Sequence, residues 1–346
     1  MKVALLTYFK TLSYGATLQT YATIKVIEQL GHEVILINLD IPNAYNRLKA
    51  ILLFPKWVKI WMFRRKNFNR HLTRKYNSSE DLKKYPPQAD IYMVGSDQTW
   101  NLDISLDKAS SFFLDFVRDN KKKVSYAASF GKADLEGTQW LRVEEVEVLL
   151  RKFEHIAVRE DSGKYLLAKM EIDSMQVLDS ALLFDNYKEL AGDVEPKEEL
   201  VLFKVDNNKE FYHLAAEVGK CAKLPICSLG SLRRIRGMHC PYPDGIEGWL
   251  RRLIAAKYIM TDSFHALVLC LLYHKQFILI IGDPKRATRL TSLVHLVGLD
   301  DRIMTVTSSA DDVYRKLQSP IDYKKVDEIL ERERANSIGY LKSILQ

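Results

Sequence analysis

The sequence predicts an α/β protein of two facing domains, each built on a parallel, doubly wound sheet. Three observations predict it. Strand and helix patterns alternate along most of the chain, which implies strands paired in parallel through helical crossovers. The alternation breaks once, at the polar, Gly- and Pro-containing stretch "DNYKELAGDVEPKEE" (185–199), and then resumes. The chain has 346 residues, 47% of them hydrophobic and 27% charged, which suits two cores better than one.

In order, "KVALLTYF" (2–9) reads as a strand, "GATLQTYATIKVIEQLG" (15–31) as a helix closed by Gly31, and "EVILINL" (33–39) as a second strand. Further strands are "IYMVG" (91–95), "KVSYAASF" (123–130) and "HIAVR" (155–159), with "WLRVEEVEVLLRKF" (140–153) and "EDSGKYLLAKM" (160–170) as helices. Beyond the seam, "LVLFKV" (200–205), "KLPICSL" (223–229), "KYIMT" (257–261) and "QFILII" (276–281) are strands separated by helices. The expected division is a first domain over 1–184 carrying an insert at 41–79, a second over 185–320, and a final helix within 321–346.

The insert holds the positive charge. Between Asp40 and Glu80 there is no acid but ten Lys and Arg (Arg47, Lys49, Lys56, Lys59, Arg64, Arg65, Lys66, Arg70, Arg74, Lys75); without them the net +7 becomes −3. Phe54, Trp57, Trp61, Phe63, Phe68 and Leu72 are interleaved, several at helical spacing. Two readings stand: a surface helix on anionic lipid through residues 47–75, or a solvated basic helix packed on its own domain. No RNA- or DNA-binding module accompanies the segment, so nucleic acid is not an expected partner. The first apolar run is too short for a secretory signal and no stretch reaches the ~18 apolar residues of a membrane span, so a cytoplasmic protein is expected. The four cysteines (Cys221, Cys227, Cys240, Cys270) lack C-x-x-C spacing, and neither a disulfide framework nor a metal site is expected.

In an open parallel sheet, ligands gather outside the carboxyl ends of the strands. The polar residues there are Ser13, Tyr14 and Gly15; Ser96, Asp97, Gln98, Trp100 and Asn101; Ser129; Arg159 and Glu160; and, in the second domain, Thr261, Asp262, Ser263 and His265. Singly, each has an ordinary role as a helix cap, a turn residue or a satisfied core histidine. Their shared edge is the functional signal. G-x-G-x-x-G, the P-loop, G-x-S-x-G and D-x-D are all absent, so metal-free chemistry on an anionic substrate fits better.

The stretches "SYGATLQTYAT", "MVGSDQTWN", "SYAASFG", "AVREDSG", "VLDSALL" and "YIMTDSFHALVLCLLYHKQFIL" resemble, in order and spacing, the motifs of the polysaccharide pyruvyl transferase family. The resemblance implies a GT-B-like build of two facing Rossmann-like domains. It also implies transfer of the enolpyruvyl unit of phosphoenolpyruvate to a sugar or lipid-linked oligosaccharide as a cyclic ketal, with no cofactor besides that donor. The enzyme would then be peripheral at the inner face of the cytoplasmic membrane. By the resemblance, Asp97 and His265 form an acid/base pair facing each other from the two domains, and Arg159 holds the donor's carboxylate or phosphate. Glu160 orients Arg159 or binds a sugar hydroxyl. Tyr14, Gly15, Gln19, Ser96, Gln98, Trp100, Ser129, Asp262 and Ser263 complete the expected substrate contacts. Some family branches read R-L-H where this chain has Ser263, Phe264 and His265. Arg286 and Arg289 in "DPKRATRL" (283–290), with the helix N-terminus at Ser263, are the expected replacements for that charge. The competing reading is a GT-B-like protein, non-catalytic or differently catalytic, that binds glycan in a polysaccharide assembly complex.

Overall fold

The computed structural model describes residues 1–41, 51–135, 138–205, 208–231, 234–282 and 287–346. The chain forms two units, Met1–Ala44 with Arg64–Phe184 and Glu331–Gln346, and Tyr45–Phe63 with Asp185–Leu330.

In the first unit, β1 (Lys2–Leu6), β2 (Glu33–Leu39), β3 (Leu72–Tyr76), β4 (Ile91–Val94) and β5 (Lys122–Ser125) pair in the order β3-β2-β1-β4-β5. Every pairing is parallel. All four residues of β4 are buried, as a strand covered on both faces requires. Helix Tyr14–Gln29 links β1 to β2, starting at the Ser13 cap, whose side chain accepts the Ala16 N–H. The chain leaves it through Gly31 at φ +86, a conformation without steric cost for glycine.

Two strands depart from the sequence pattern. β3 lies inside the basic insert, where "LTRKY" offers only Leu72 and Tyr76 as apolar anchors. It is an edge strand, so its outer residues stay polar, and apolar patterning could not reveal it. β5 ends earlier than expected because Ala127 takes φ +54. That turn brings Ser129 beneath the loop after β4, where its N–H donates to the Asp97 carbonyl at 3.0 Å. β6 (Ala157–Val158) and β7 (Met175–Gln176) form a short parallel pair, joined towards β5 by single parallel bridges at Val124–His155 and Ala128–Val158.

The second unit repeats the plan. β8 (Lys197–Phe203), β9 (Ile226–Leu229), β10 (Ala256–Thr261), β11 (Gln276–Ile280) and β12 (Ile303–Met304) follow the order β12-β11-β10-β8-β9, again all parallel. Leu200, Leu202, Met260, Ile278 and Ile280 from the sheet pack with Phe211 and Val218 of helix Lys209–Ala222 and with Val313 and Leu317 of helix Ala310–Gln318. Helix Phe264–Leu272 is buried along eight of its nine residues, which accounts for its nearly uninterrupted apolar sequence.

The insert is divided between the units. Residues up to Phe63 group with the second, where Lys59 pairs with Asp244 at 2.5 Å, and those from Arg64 with the first. Helix Tyr323–Ile344 is divided too. Tyr323 donates its hydroxyl to the Cys270 carbonyl in the second unit, while Ser337 accepts the Leu178 N–H at 2.9 Å and Tyr340 donates to the Ser125 carbonyl at 3.0 Å in the first.

Candidate active site

In each unit the strand order reverses once, and in open α/β sheets ligands gather at the carboxyl ends beside such a switch point. In the first unit the reversal falls between β1 and β4, in the second between β8 and β10. The polar residues singled out in the sequence gather at these two places.

The loop after β4 approaches β1 closely because residue 95 is glycine: a Cβ there would lie 2.8 Å from Leu5 Cδ1. Thr7 Oγ1 donates to the Ser96 carbonyl at 2.7 Å, and Gln19 Nε2 donates to Thr7 Oγ1 at 2.9 Å. Asp97 then adopts φ +87, a backbone state that a non-glycine residue occupies only when its surroundings impose it. They do so through three hydrogen bonds. The Asp97 carbonyl accepts from the N–H groups of Thr99 (2.8 Å) and Ser129 (3.0 Å), and its Oδ1 accepts from Gln98 N at 2.8 Å.

Beside Asp97 lies a buried charge cluster. Arg159 Nη1 donates to Asp179 Oδ2 at 2.6 Å, its Nη2 is 3.5 Å from Asp97 Oδ1, and its Nε is 3.7 Å from Glu160 Oε2. Asp179 also accepts from Ser96 Oγ at 2.5 Å and caps the turn Ser180–Leu183 by accepting the Ala181 N–H at 2.9 Å. Glu160 Oε1 accepts the Phe130 N–H at 3.0 Å. The side chains of Arg159, Glu160 and Asp179 are 0% exposed, and that of Asp97 is 14% exposed. Burial alone would lower the Arg159 pKa; Asp179, Asp97 and Glu160 outweigh it and raise it. Burial likewise pushes the Tyr8 hydroxyl up, where it meets Ser105 Oγ at 2.9 Å.

Several expected roles change accordingly. Arg159 was expected to grip the anionic donor, but its guanidinium is enclosed by three carboxyl groups, so the cluster is acidic and Arg159 acts as their counter-charge. Glu160 stands beside Arg159 with no solvent-exposed side-chain surface. Trp100 is fully buried, stacked on Phe113 at 5.7 Å, with its indole N–H donated to the Phe112 carbonyl at 3.0 Å. Gln19, Ser96 and Ser129 are also fully buried: Gln19 Nε2 donates to the Tyr8 carbonyl, Ser129 Oγ accepts the Gly131 N–H, and Ser96 Oγ donates to Asp179. Gln98 is half-buried and bonds Asn101 Nδ2 through Oε1 at 2.9 Å; Tyr14 and Gly15 open the helix after β1 and are buried.

At the second switch point Lys204, the first residue after β8, ion-pairs with Asp262, the first after β10. Their side chains are 5% and 9% exposed. Asp262 Oδ1 accepts the Val205 N–H at 2.7 Å, and Thr261 Oγ1 donates to the Phe203 carbonyl at 2.6 Å, so two strand ends are tied together. Asp262, expected at the substrate, is largely committed to this tie. Ser263 caps helix Phe264–Leu272, its Oγ accepting the Ala266 N–H at 3.4 Å. His265 follows in the first turn, buried, with its ring edge-on to Phe264 at 5.3 Å. Arg289 lies half-buried in helix Thr288–Leu296, and Arg286 falls outside the described residues.

Sequence reasoning assigned no role to Asp179 or Lys204. Asp179 sits inside the quoted "VLDSALL" and Lys204 at the end of "LVLFK", so their strand-end positions were the available signal. Among the described residues no group of three His, Cys, Asp or Glu could hold a metal ion.

A family model described as "Polysaccharide pyruvyl transferase" matches residues 14–284. No protein with a curated description matches the chain. Among solved structures, UDP-GlcNAc 2-epimerase from Neisseria meningitidis bound to UDP-GlcNAc aligns at TM-score 0.57 and 11% identity, over 100% of this chain and 99% of that one. UDP-GlcNAc 2-epimerase from Methanocaldococcus jannaschii aligns at 0.55 and 11%, over 93% of each chain. The glycotransferase of kitacinnamycin aligns at 0.54 and 11%, over 99% and 97%. At such identities the likeness shows the fold, and the expected GT-B-like α/β class with parallel sheets is met.

Proposed function

This chain belongs to the polysaccharide pyruvyl transferase family, and from that premise we propose that it moves the enolpyruvyl unit of phosphoenolpyruvate onto a sugar of a lipid-linked glycan, closing a cyclic pyruvate ketal in surface polysaccharide biosynthesis. The donor's methylene carbon takes a proton, which leaves an oxocarbenium-like centre at the adjacent carbon. One sugar hydroxyl attacks that carbon and gives up its proton. The bond to the phosphate oxygen breaks, its electron pair leaving with phosphate. A second hydroxyl then closes the ketal, its proton going to the departed phosphate. One acid, one base and a cationic environment are needed, and no cofactor beyond the donor.

Asp97 and His265 are our acid/base pair. The observation that carries the reading is Asp97 itself. Its backbone is held at φ +87 at a switch point, and it is the member of the Arg159 cluster whose carboxyl reaches solvent. A strained residue that keeps its reactive group accessible fits catalysis better than packing. Arg159, Glu160 and Asp179 position it. The donor's anionic groups fall to the second unit, where the helix N-terminus at Ser263 supplies positive potential and Arg289, with Arg286, supplies charge. Lys204 and Asp262 hold the strand ends that present Ser263 and His265.

The test is phosphoenolpyruvate-dependent phosphate release in the presence of candidate acceptor glycans. Release that survives metal chelation and requires both donor and acceptor is the expected result. Glycan binding without donor turnover would instead support the binding protein of an assembly complex, a reading favoured by the serine at position 263.

A further inference from the structure

The cations of the insert are not alike. Lys59, Arg70, Arg74 and Lys75 each meet a carboxylate, from Asp244, Glu28, Asp81 and Asp40 in turn. Arg47 and Lys49 lie outside the described residues. Arg64, in the last turn of helix Phe54–Asn67, differs from those four: it belongs to the first unit and turns inward there, and no carboxylate among the described residues pairs with it. Its Nη2 donates to the Thr11 carbonyl and, at 3.3 Å, to Thr17 Oγ1. Its Nε is shut off from solvent without a hydrogen-bond partner, and its Nη1 donates to no described residue.

A buried charge without a counter-charge is costly, and one carbonyl and one hydroxyl do not offset that cost. Burial pulls the Arg64 pKa down to about 10, which still leaves the guanidinium charged near neutral pH. Its surroundings add positive potential. Burial lowers the pKa of Lys10, next to Thr11 in the turn after β1; Asp40 opposes that shift, while the charges of Lys75 and Arg64 add to it. Asp40 lies 2.9 Å from Lys75 Nζ and 3.7 Å from Lys10 Nζ, so its carboxylate answers the lysines and not Arg64. Lys10, Asp40 and Lys75 stand where β1, β2 and β3 end, on the carboxyl edge of the first sheet that also carries the Asp97 loop.

We propose that Arg64, with Lys10 as its neighbour, forms an anion site at the carboxyl edge of the first sheet and takes the phosphate group of a phosphorylated ligand. A phosphate monoester carries about two negative charges near neutral pH, and its oxygens match the planar fork of a guanidinium. Bound there, it supplies the counter-charge that Arg64 does not find among the described residues. The same group could come from the sugar side or from phosphoenolpyruvate. The inference uses the first unit alone and does not depend on the transfer chemistry proposed above.

The test is thermal unfolding of the full chain at constant ionic strength, with chloride exchanged for inorganic phosphate. Phosphate is expected to raise the midpoint saturably, as a ligand that binds only the folded chain does. Arg64→Met should abolish that rise. Arg64→Lys keeps the charge but not the fork, and should keep the rise with affinity reduced by roughly 10-fold; it carries the test even where the methionine variant fails to fold. If Arg64 only holds the turn at Thr11, Arg64→Met lowers the midpoint by the same amount with and without phosphate, which overturns the proposal. An unchanged phosphate response in either variant does so too. Glucose 1-phosphate and phosphoenolpyruvate then separate the sources: a rise with at least one of them that Arg64→Met removes is expected and identifies the ligand side. No such rise with either marks an adventitious ion only and overturns the proposal.

Discussion

The two switch points share a plan and differ in charge. Both sit at the carboxyl edge of a five-stranded parallel sheet where the order reverses, and both tie strand ends together through a buried ion pair. In the first unit one guanidinium faces three carboxyl groups, one of them on a residue with positive φ. In the second one ammonium faces one carboxylate, and a capped helix starts directly beside it. The first is over-supplied with acid and strained; the second is balanced and offers helix N–H groups. The same fold therefore gives one edge an excess of carboxylate and the other a balanced pair beside helix N–H groups.

The largest expected effect separates the two pairs by stability. Arg159→Met strands the buried carboxyl groups of Glu160 and Asp179, with Asp97 beside them, and should cost about 3–5 kcal/mol in chemical denaturation. Lys204→Met leaves Asp262 still accepting the Val205 N–H, and should cost about 1–3 kcal/mol. Equal losses would mean that the three-to-one ratio has no energetic consequence.

Turnover sharpens the contrast next. Asp97→Asn and His265→Ala should each lower phosphate release by ~10²-fold or more in a folded protein, about 2.7 kcal/mol or more of transition-state stabilisation. Arg289→Ala should instead weaken donor saturation, by about 1.5–3 kcal/mol, with acceptor saturation unchanged. A folded Asp97→Asn variant with near-normal turnover removes Asp97 from the chemistry.

Strain gives a smaller and opposite effect. Asp97→Gly relieves φ +87 and should raise the unfolding free energy, and the midpoint with it, by about 0.5–1 kcal/mol after the extra freedom of glycine in the unfolded chain, while turnover collapses. A lower midpoint would show that the carboxylate, and not the backbone, governs local stability.

The smallest effect is the tie between the insert and the second unit. Burial works to raise the Asp244 pKa, but hydrogen bonds from Lys59 and the Gly245 N–H outweigh it and leave the pKa below its usual 3.8. The pair's contribution, about 0.2–1 kcal/mol for so exposed a contact, is thus present above pH ~4 and lost as pH falls through the lowered value. Lys59→Ala should remove that part of the acid sensitivity; an unchanged pH profile of stability would assign it elsewhere.

Much of the fold was legible because a strand buried on both faces needs a short apolar run, and a parallel connection needs a helix between such runs. "IYMV", "YIMT" and "FILI" carry that signal alone, and the polar residues that follow them mark the site edge. β3 was not legible: an edge strand with one covered face can be as polar as "LTRKY". The charge of the insert misled for a related reason. Ten cations in an acid-free run look unopposed in sequence, yet Asp244, Glu28, Asp81 and Asp40 come from outside the run to meet four of them.

By itself the sequence determined where strands end and which polar residues stand there, since burial and helix capping are set by neighbours along the chain. Only the tertiary structure decided what those residues do. Asp97, Arg159 and Asp179 are brought together by sheet register, and so are Lys204 and Asp262. Register encloses Arg159 among three carboxyl groups and leaves Asp97 at positive φ and partly accessible. Electrostatic interaction depends on distance through space, and no spacing along the chain encodes it.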